Sequence, residues 1–291
     1  MKDISTVAVL GAGTMGRGIA QVAAQSGLGV RLFDVAPEVL AAGHAAALAG
    51  IARFEAKGTL APEAAAASRV RLAIVPELAD AVRGADLVLE AVPESLELKR
   101  ELFARVEPEL AEDAVLASNT SSIPIALLAD RLARPGRFLG LHFFNPVPLM
   151  KLLEIVAGPR TEPEVVEAAR ALAARLGKEP VVVQDAPGFA TSRLGVAIGL
   201  EAIRMLEAGV ASAADIDRAM ELGYGHPMGP LRLTDLVGLD VRLAIARTLE
   251  RELGPRFAPP RLLVAKVEAG ELGKKTGRGF YEWEGGAAKK G

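Results

Sequence analysis

Apolar positions fall into two regimes along the chain. Up to about residue 186, short continuous apolar runs alternate with stretches of helical spacing. The runs at 6–10, 30–33, 70–74, 86–92, 114–117, 138–144, 152–156 and 180–184 have the length and composition of strands buried on both faces. Between them, Gly16 to Gly27 is helical, with Ile19, Ala20, Ala23 and Ala24 on one face, and 163–176 is helical again. Residues 37–57 form one long alanine-rich helix, Gly58-Thr59-Leu60-Ala61-Pro62 breaks it, and a second helix starts at Pro62. That is a helical hairpin, about 37–68, inserted before the third strand. Beyond Asp185-Ala186-Pro187-Gly188-Phe189 only helical spacing remains, at 188–210, 212–222, from Pro230, 240–253 and 260–269, until a last strand at 279–283. The pattern predicts an α/β fold: a doubly wound sheet with the inserted hairpin over 1–186, followed by an all-α C-terminal domain over 187–291.

The first strand runs into Gly11-Ala12-Gly13-Thr14-Met15-Gly16 and then a helix. Strand, glycine turn and helix are the context in which G-x-G-x-x-G means a dinucleotide-binding, Rossmann-type domain. Gly11 permits the tight turn, Gly13 lets backbone approach a pyrophosphate, and Gly16 lets the helix pack closely; the amides at the helix start face the phosphates. The second strand ends at Asp34. A carboxylate there accepts from both ribose hydroxyls of the adenosine and repels a 2′-phosphate, so the expected cofactor is NAD rather than NADP.

Composition narrows the partners. A hydrophobic share of 51% with 24% charged residues describes a folded chain, and a net charge of −2 supplies no basic field for nucleic acid. No apolar run approaches the length of about 18 residues that a membrane span needs, and Gly11, Gly13, Gly16 and Arg17 interrupt the N-terminal run that could pass for a secretory leader. Zero cysteines exclude disulfides, thiol catalysis and thiolate metal sites, and fit a reducing cytoplasm, the expected location. No metal is expected.

The candidate chemistry centres on Leu141-His142-Phe143-Phe144-Asn145-Pro146 and Leu152-Leu153-Glu154-Ile155-Val156. Glu154 is a lone carboxylate in a buried strand and needs a partner; His142, at the end of another strand, can provide it. A carboxylate that fixes one ring nitrogen leaves the other to take a proton. A histidine capping a strand and a glutamate turned to solvent is the alternative. Asn119 and Asn145 are the only asparagines in the chain, and both fall near His142 in this reading. Ligands in open parallel sheets sit beyond the carboxyl ends of strands, which gathers Glu94, the polar cluster Ser118-Asn119-Thr120-Ser121-Ser122 and His142 around one crevice with Gly11–Gly16. Ser95 caps the next helix, which carries Lys99. Lys57, at the hairpin tip, is placed to bind a substrate phosphate or simply to be solvated at a helix end.

These residues closely resemble the 3-hydroxyacyl-CoA dehydrogenase family. The matching stretches run in family order: the Gly11–Gly16 turn, Ser118–Ser122, Gly140-Leu141-His142-Phe143-Phe144-Asn145-Pro146-Val147-Pro148, Asp185–Phe189, Pro227-Met228-Gly229-Pro230 and Gly273-Lys274-Lys275-Thr276-Gly277. The resemblance implies oxidation of a (3S)-3-hydroxyacyl-CoA by NAD, and its reverse. His142 is then the base, held by Glu154. Ser121 and Asn145 bond the substrate oxygen and carbonyl or the nicotinamide amide, with Asn119 beside them. Glu94, Lys99 and Lys275 match cofactor-side positions, and the hairpin with Lys57 matches the part that contacts coenzyme A. Ser192 stands where the family usually carries an asparagine near the substrate, and His226 is an extra histidine. Short chains such as 3-hydroxybutyryl-CoA are favoured; 3-hydroxyadipyl-CoA is equally compatible. The other readings are a dehydrogenase of a free hydroxy acid, as in the L-gulonate branch, and a non-catalytic NAD-binding structural protein. A homodimer through the C-terminal domain is expected.

Overall fold

The computed structural model describes residues 3–284 and 287–288. Its chain divides into two compact units, Met1–Ala186 and Pro187–Gly291.

The first unit opens with β1 (Thr6–Leu10), α1 (Thr14–Gln25) and β2 (Gly29–Phe33), then the hairpin α2 (Pro37–Ala56) and α3 (Pro62–Arg71). It continues through β3 (Leu72–Ile74), α4 (Leu78–Val82), β4 (Leu87–Glu90), α5 (Leu96–Val106), β5 (Val115–Ser118), α6 (Ile125–Ala129), β6 (Phe138–Phe143), β7 (Leu152–Ala157), α7 (Pro163–Arg175) and β8 (Glu179–Gln184). The eight strands form one sheet in the order β3-β2-β1-β4-β5-β6-β7-β8. Every neighbouring pair is parallel except β6 with β7, which is antiparallel. Strand order reverses at β1, and that switch point opens the crevice beyond the strand ends in which such sheets bind ligands. Ile19, Ala20 and Ala23 of α1 and Val165, Ala169 and Leu172 of α7 are buried in the same core as Val7, Val9, Leu139 and Leu141 of the sheet.

The expected third strand is shorter than its apolar run. α3 continues to Arg71 and only Leu72–Ile74 pairs with β2. Val70 is exposed on that helix, so its apolar side chain marks no strand. Alanine from 64 to 67 extends the helix at the strand's expense. The fourth strand likewise stops at Glu90 rather than Val92. α2 lies close to α1 because its facing positions are glycines. A Cβ at Gly43 would stand 2.3 Å from the Ala12 carbonyl oxygen, and one at Gly50 would stand 2.1 Å from Gln21 Oε1.

The second unit is helical: α8 (Thr191–Glu207), α9 (Ala213–Tyr224), α10 (Pro230–Val237), α11 (Leu239–Leu253) and α12 (Arg261–Glu268). Val196, Leu200, Ile216, Leu231, Leu243, Leu249 and Leu263 form its core. α8 starts at Thr191, not at 188, because Gly188 and Phe189 take positive φ of 74° and 48°. Two buried carboxylates organise the rest. Asp217 accepts from the amides of Leu231 and Arg232 at the start of α10 and from the Tyr281 hydroxyl, which burial and this acceptor push up in pKa. Asp235 accepts from the amides of Phe280 and Tyr281 and from the Trp283 indole. That capture folds 279–281 around a carboxylate, so the expected strand at 279–283 shrinks to β9 (Trp283–Glu284), paired with β10 (Ala287–Ala288).

Candidate active site

The glycine turn is built as a phosphate cradle. Gly11 has φ of +103°, and a Cβ there would lie 2.6 Å from the Ala91 carbonyl oxygen; at Gly16 it would lie 1.7 Å from the carbonyl oxygen of Gly11. Those two glycines are required by the protein itself. Gly13 is different: a Cβ there meets nothing within 4 Å. It is the N-cap of α1 with no side-chain cap, so the first amides of the helix face outward toward that space. Asp34 stands at the exit of β2, its two carboxylate oxygens accepting from the amides of Ala12 (2.8 Å) and Ala36 (3.0 Å). A cleft of about 590 Å³ runs along this edge, lined by Gly11, Gly13, Thr14, Met15, Asp34 and Val92 among others. Open space above Gly13 and a backbone-fixed carboxylate at the far end fit a dinucleotide with an unphosphorylated ribose.

His142 and Glu154 face each other across the antiparallel β6–β7 pair, in register. Nδ1 of His142 lies 2.7 Å from Oε2 of Glu154, which is completely buried. Opposite a carboxylate, Nδ1 carries the proton, which leaves the basic lone pair of the neutral ring on Nε2. The Phe144 ring packs against the imidazole, centroids 4.3 Å apart. Asn119 fixes the same strand end: its Oδ1 accepts from the Phe143 amide at 2.9 Å. Asn145 is exposed at the start of the loop that follows. Lys178 anchors that loop, its ammonium donating to the carbonyls of Val147 and Met150.

Glu94 holds the serine-rich loop. Its Oε1 accepts from Thr120 Oγ1 (2.6 Å), the Ser121 amide (3.0 Å) and Ser122 Oγ (3.1 Å). Burial pushes its carboxyl up, but the Lys99 charge and these hydrogen bonds outweigh that and hold its pKa below the usual value. Lys99 lies beside Glu94. Its side chain is buried, and its ammonium donates to both oxygens of Glu90 (2.7 and 2.8 Å) and lies 3.0 Å from Glu94. An ammonium has three donors, and all three are engaged by carboxylates. Through Glu94, Lys99 is linked to the serine-rich loop.

Glu90 is the residue sequence reasoning missed. Fully buried at the end of β4, it also accepts from Ser118 Oγ (2.6 Å) and the Val92 amide (2.7 Å). Burial raises its pKa in spite of Lys99. The available signal was the one that singled out Glu154: a lone carboxylate closing an apolar strand.

A second cleft, of about 350 Å³, lies between α1, α2 and the loop after Asn145. Arg17, Arg53 and Lys57 line it together with Gly50 and Asn145. Lys57 thus shares its groove with two further cations and with a candidate substrate contact. In the second unit, Ser192 sits on the first turn of α8, and Lys275 is ion-paired to Asp240 at 2.6 Å. His226 follows the left-handed Gly225 that ends α9, a loop position, its amide donating to the Met220 carbonyl.

Among the described residues no group of three or more histidine, aspartate or glutamate side chains is arranged to hold a metal ion, and no helix is long and apolar enough to cross a membrane.

Comparison with known proteins agrees with this geometry. Residues 6–186 match the model of the 3-hydroxyacyl-CoA dehydrogenase NAD binding domain, and residues 188–283 match that of the C-terminal domain. The chain is 43% identical over 283 residues to a 3-hydroxybutyryl-CoA dehydrogenase of Bradyrhizobium diazoefficiens, covering 97% of this chain and 96% of that one. It is 43% identical over 289 residues to the mitochondrial hydroxyacyl-coenzyme A dehydrogenase of Rattus norvegicus, covering 97% and 92%. The solved (S)-3-hydroxybutyryl-CoA dehydrogenase of Ralstonia eutropha superposes with a TM-score of 0.93 at 39% identity, over 97% of this chain and all of that one. With a dinucleotide cradle, a buried His–Glu pair on the same sheet and a match over both units, this chain belongs to the 3-hydroxyacyl-CoA dehydrogenase family.

Proposed function

We propose that the protein oxidises short-chain (3S)-3-hydroxyacyl-CoA thioesters, 3-hydroxybutyryl-CoA foremost, and catalyses the reverse reduction. The observation that carries the reading is the in-register His142–Glu154 pair at 2.7 Å. NAD, when bound along the Gly11–Gly16 turn with its ribose at Asp34, supplies the hydride acceptor. Nε2 of His142 takes the proton of the C3 hydroxyl as the C3–H electron pair leaves, and the carbonyl forms between C3 and its oxygen. Glu154 then faces an imidazolium, which a buried carboxylate at hydrogen-bond distance stabilises. Ser121 and Asn145 orient the substrate oxygens, and Glu94 keeps Ser121 in place through its amide. Ser192 is the substrate-side residue of the second unit, and Lys275 a cofactor-side one.

The groove of Arg17, Arg53 and Lys57 suits the phosphates of coenzyme A, which favours a thioester over a free hydroxy acid. A homodimer through residues 188–291 fits the exposed Leu194, Ile198, Leu222, Tyr224 and Leu236 of that unit. A cytoplasmic location fits the absence of cysteine.

The test is NADH consumption with acetoacetyl-CoA, beside acetoacetate and NADPH controls. Turnover confined to the thioester with NADH is the expected result. Turnover of free acetoacetate at a matching rate would move the assignment to hydroxy acids.

A further inference from the structure

The loop between β6 and β7 begins at the candidate chemistry of the first unit. Phe144 packs its ring against the His142 imidazole, and Asn145 lines the basic groove with Arg17, Arg53 and Lys57. An exposed side chain on a loop is only as well placed as the backbone beneath it. That backbone is attached at its two ends: the Phe143 amide donates to Asn119 Oδ1, and the Glu179 amide donates to the Lys151 carbonyl. Between the ends stands Lys178, whose ammonium donates to the carbonyls of Val147 and Met150.

Lys178 is only 6% exposed, and among the described residues no carboxylate lies within ion-pair distance of it. Burial alone moves its pKa, downward. A buried ammonium without a carboxylate depends on the oxygens it holds, and here those are the two loop carbonyls. Its own backbone is fixed, because its amide donates to the Ala173 carbonyl at the end of α7. On its other side the loop is seated on α1. Val147 is buried, and a Cβ at Gly18 would stand 3.0 Å from the Val147 Cβ. The loop is thus clamped between a buried cation and the helix that starts at the phosphate cradle.

We propose that Lys178 is a positioning residue for the reaction, and that its clamp on Val147 and Met150 sets where Asn145 stands relative to His142. The assignment rests on the thioester reading above and on Asn145 as a residue that orients the substrate. Arg17 and Arg53 belong to α1 and α2, and Lys57 caps α2, so the cations of the groove are held independently of the clamp. Loss of the clamp therefore disturbs orientation at the reacting centre more than it disturbs binding.

The experiment measures kcat and KM for acetoacetyl-CoA with NADH, with kcat expressed per NADH-binding site. It compares wild type, Lys178→Met, Asn145→Ala and the double variant. Lys178→Met should lower kcat by about tenfold to 10²-fold, the effect of a small misplacement, with KM for the thioester within about threefold. The double variant should be no slower than Asn145→Ala alone, because a clamp that acts through Asn145 has nothing left to position. Lys178→Gln carries the same comparison where Lys178→Met does not fold, since its shorter amide keeps a polar group there but does not span both carbonyls. A purely structural lysine would change Tm and the number of NADH-binding sites, but not kcat per site. Unchanged kcat per site in the Lys178 variants overturns the assignment. Effects that multiply in the double variant, or a raised KM with kcat intact, also overturn it. Absence of turnover by wild type, with NADH still bound, removes the thioester reading itself and this assignment with it.

Discussion

His142 and Glu154 are direct cross-strand partners, and the only antiparallel pairing in the main sheet is what makes them so. Antiparallel pairing sets the start of β7 beside the end of β6, so Glu154, the third residue of β7, faces His142, the last but one of β6. His142→Ala should lower kcat by roughly 10²- to 10⁴-fold, the usual contribution of a positioned base, with NAD affinity nearly unchanged. Glu154→Gln keeps the shape but offers an amide to Nδ1, so kcat should fall while KM moves little. Steady-state kinetics with NAD binding by fluorescence separates the two effects; unchanged turnover in His142→Ala removes the base assignment.

The cofactor preference should reside in Asp34. Both of its oxygens are held by backbone amides, so the carboxylate is fixed before any ribose arrives. Asp34→Ser should weaken NAD binding and improve NADP binding, shifting the ratio of their dissociation constants by about tenfold or more, equivalent to about 1.4 kcal/mol. Titration of both cofactors measures it. Tight NADP binding by the unaltered protein would contradict the argument.

How much of this was legible beforehand depended on whether a residue's partner was itself legible. Glu154 stood out because an apolar strand around a carboxylate demands a partner and the chain offers few histidines. Glu90 meets the same criterion, but its partner is a lysine on the following helix, and lysines on helices are ordinarily solvated. Lys99 was marked by resemblance alone, since the three carboxylate contacts that surround it appear only when β4, α5 and the loop after Pro93 are assembled. The strand at 70–74 failed for a local reason: Val70 and Leu72 alternate as a strand would, yet the alanine run before them propagates a helix through Arg71.

Removing the lysine from the Glu90–Lys99–Glu94 cluster should be costly. Lys99→Met leaves Glu90 buried and uncompensated, a change worth about 3–5 kcal/mol when one partner of a buried pair is lost. Thermal unfolding should show it as a clear fall in Tm. The double variant Lys99→Met/Glu90→Leu removes both charges and should recover part of the loss. If the double variant were no more stable than the single, the buried charge would not be the cause.

Glu94 gives the stability a pH dependence of known sign. Its carboxyl is held below its ordinary value of 4.5 in the folded protein, so it contributes stability above that value and loses it as pH falls through the lower, folded pKa. Glu90 opposes it: a carboxyl raised by burial makes the folded state bind protons first, which favours folding as pH drops. Glu94→Gln should therefore be less stable than wild type at pH 7, with the gap in Tm closing as the pH falls below about 4.5. A gap that stayed constant down to that range would mean Glu94 acts through shape and not through charge.

The glycine turn offers the sharpest separation of fold from function, because its glycines have different reasons to be glycine. At Gly16 a methyl would stand 1.7 Å from the Gly11 carbonyl oxygen, so the helix must shift away from the turn. Gly16→Ala should lower Tm and NAD affinity together. At Gly13 a methyl meets no protein atom within 4 Å, and φ there is −64°, which alanine adopts without strain. Gly13→Ala should leave Tm within about 0.5 kcal/mol of wild type in stability terms, the range of substitutions that disturb no packing. Its methyl would still occupy the space through which the pyrophosphate reaches the first amides of α1, so NAD binding should weaken by about tenfold or more. Calorimetric melts paired with NAD titrations test both halves. Unimpaired NAD binding in Gly13→Ala would place the pyrophosphate elsewhere than over this turn, and with it the hydride acceptor that His142 is positioned to serve.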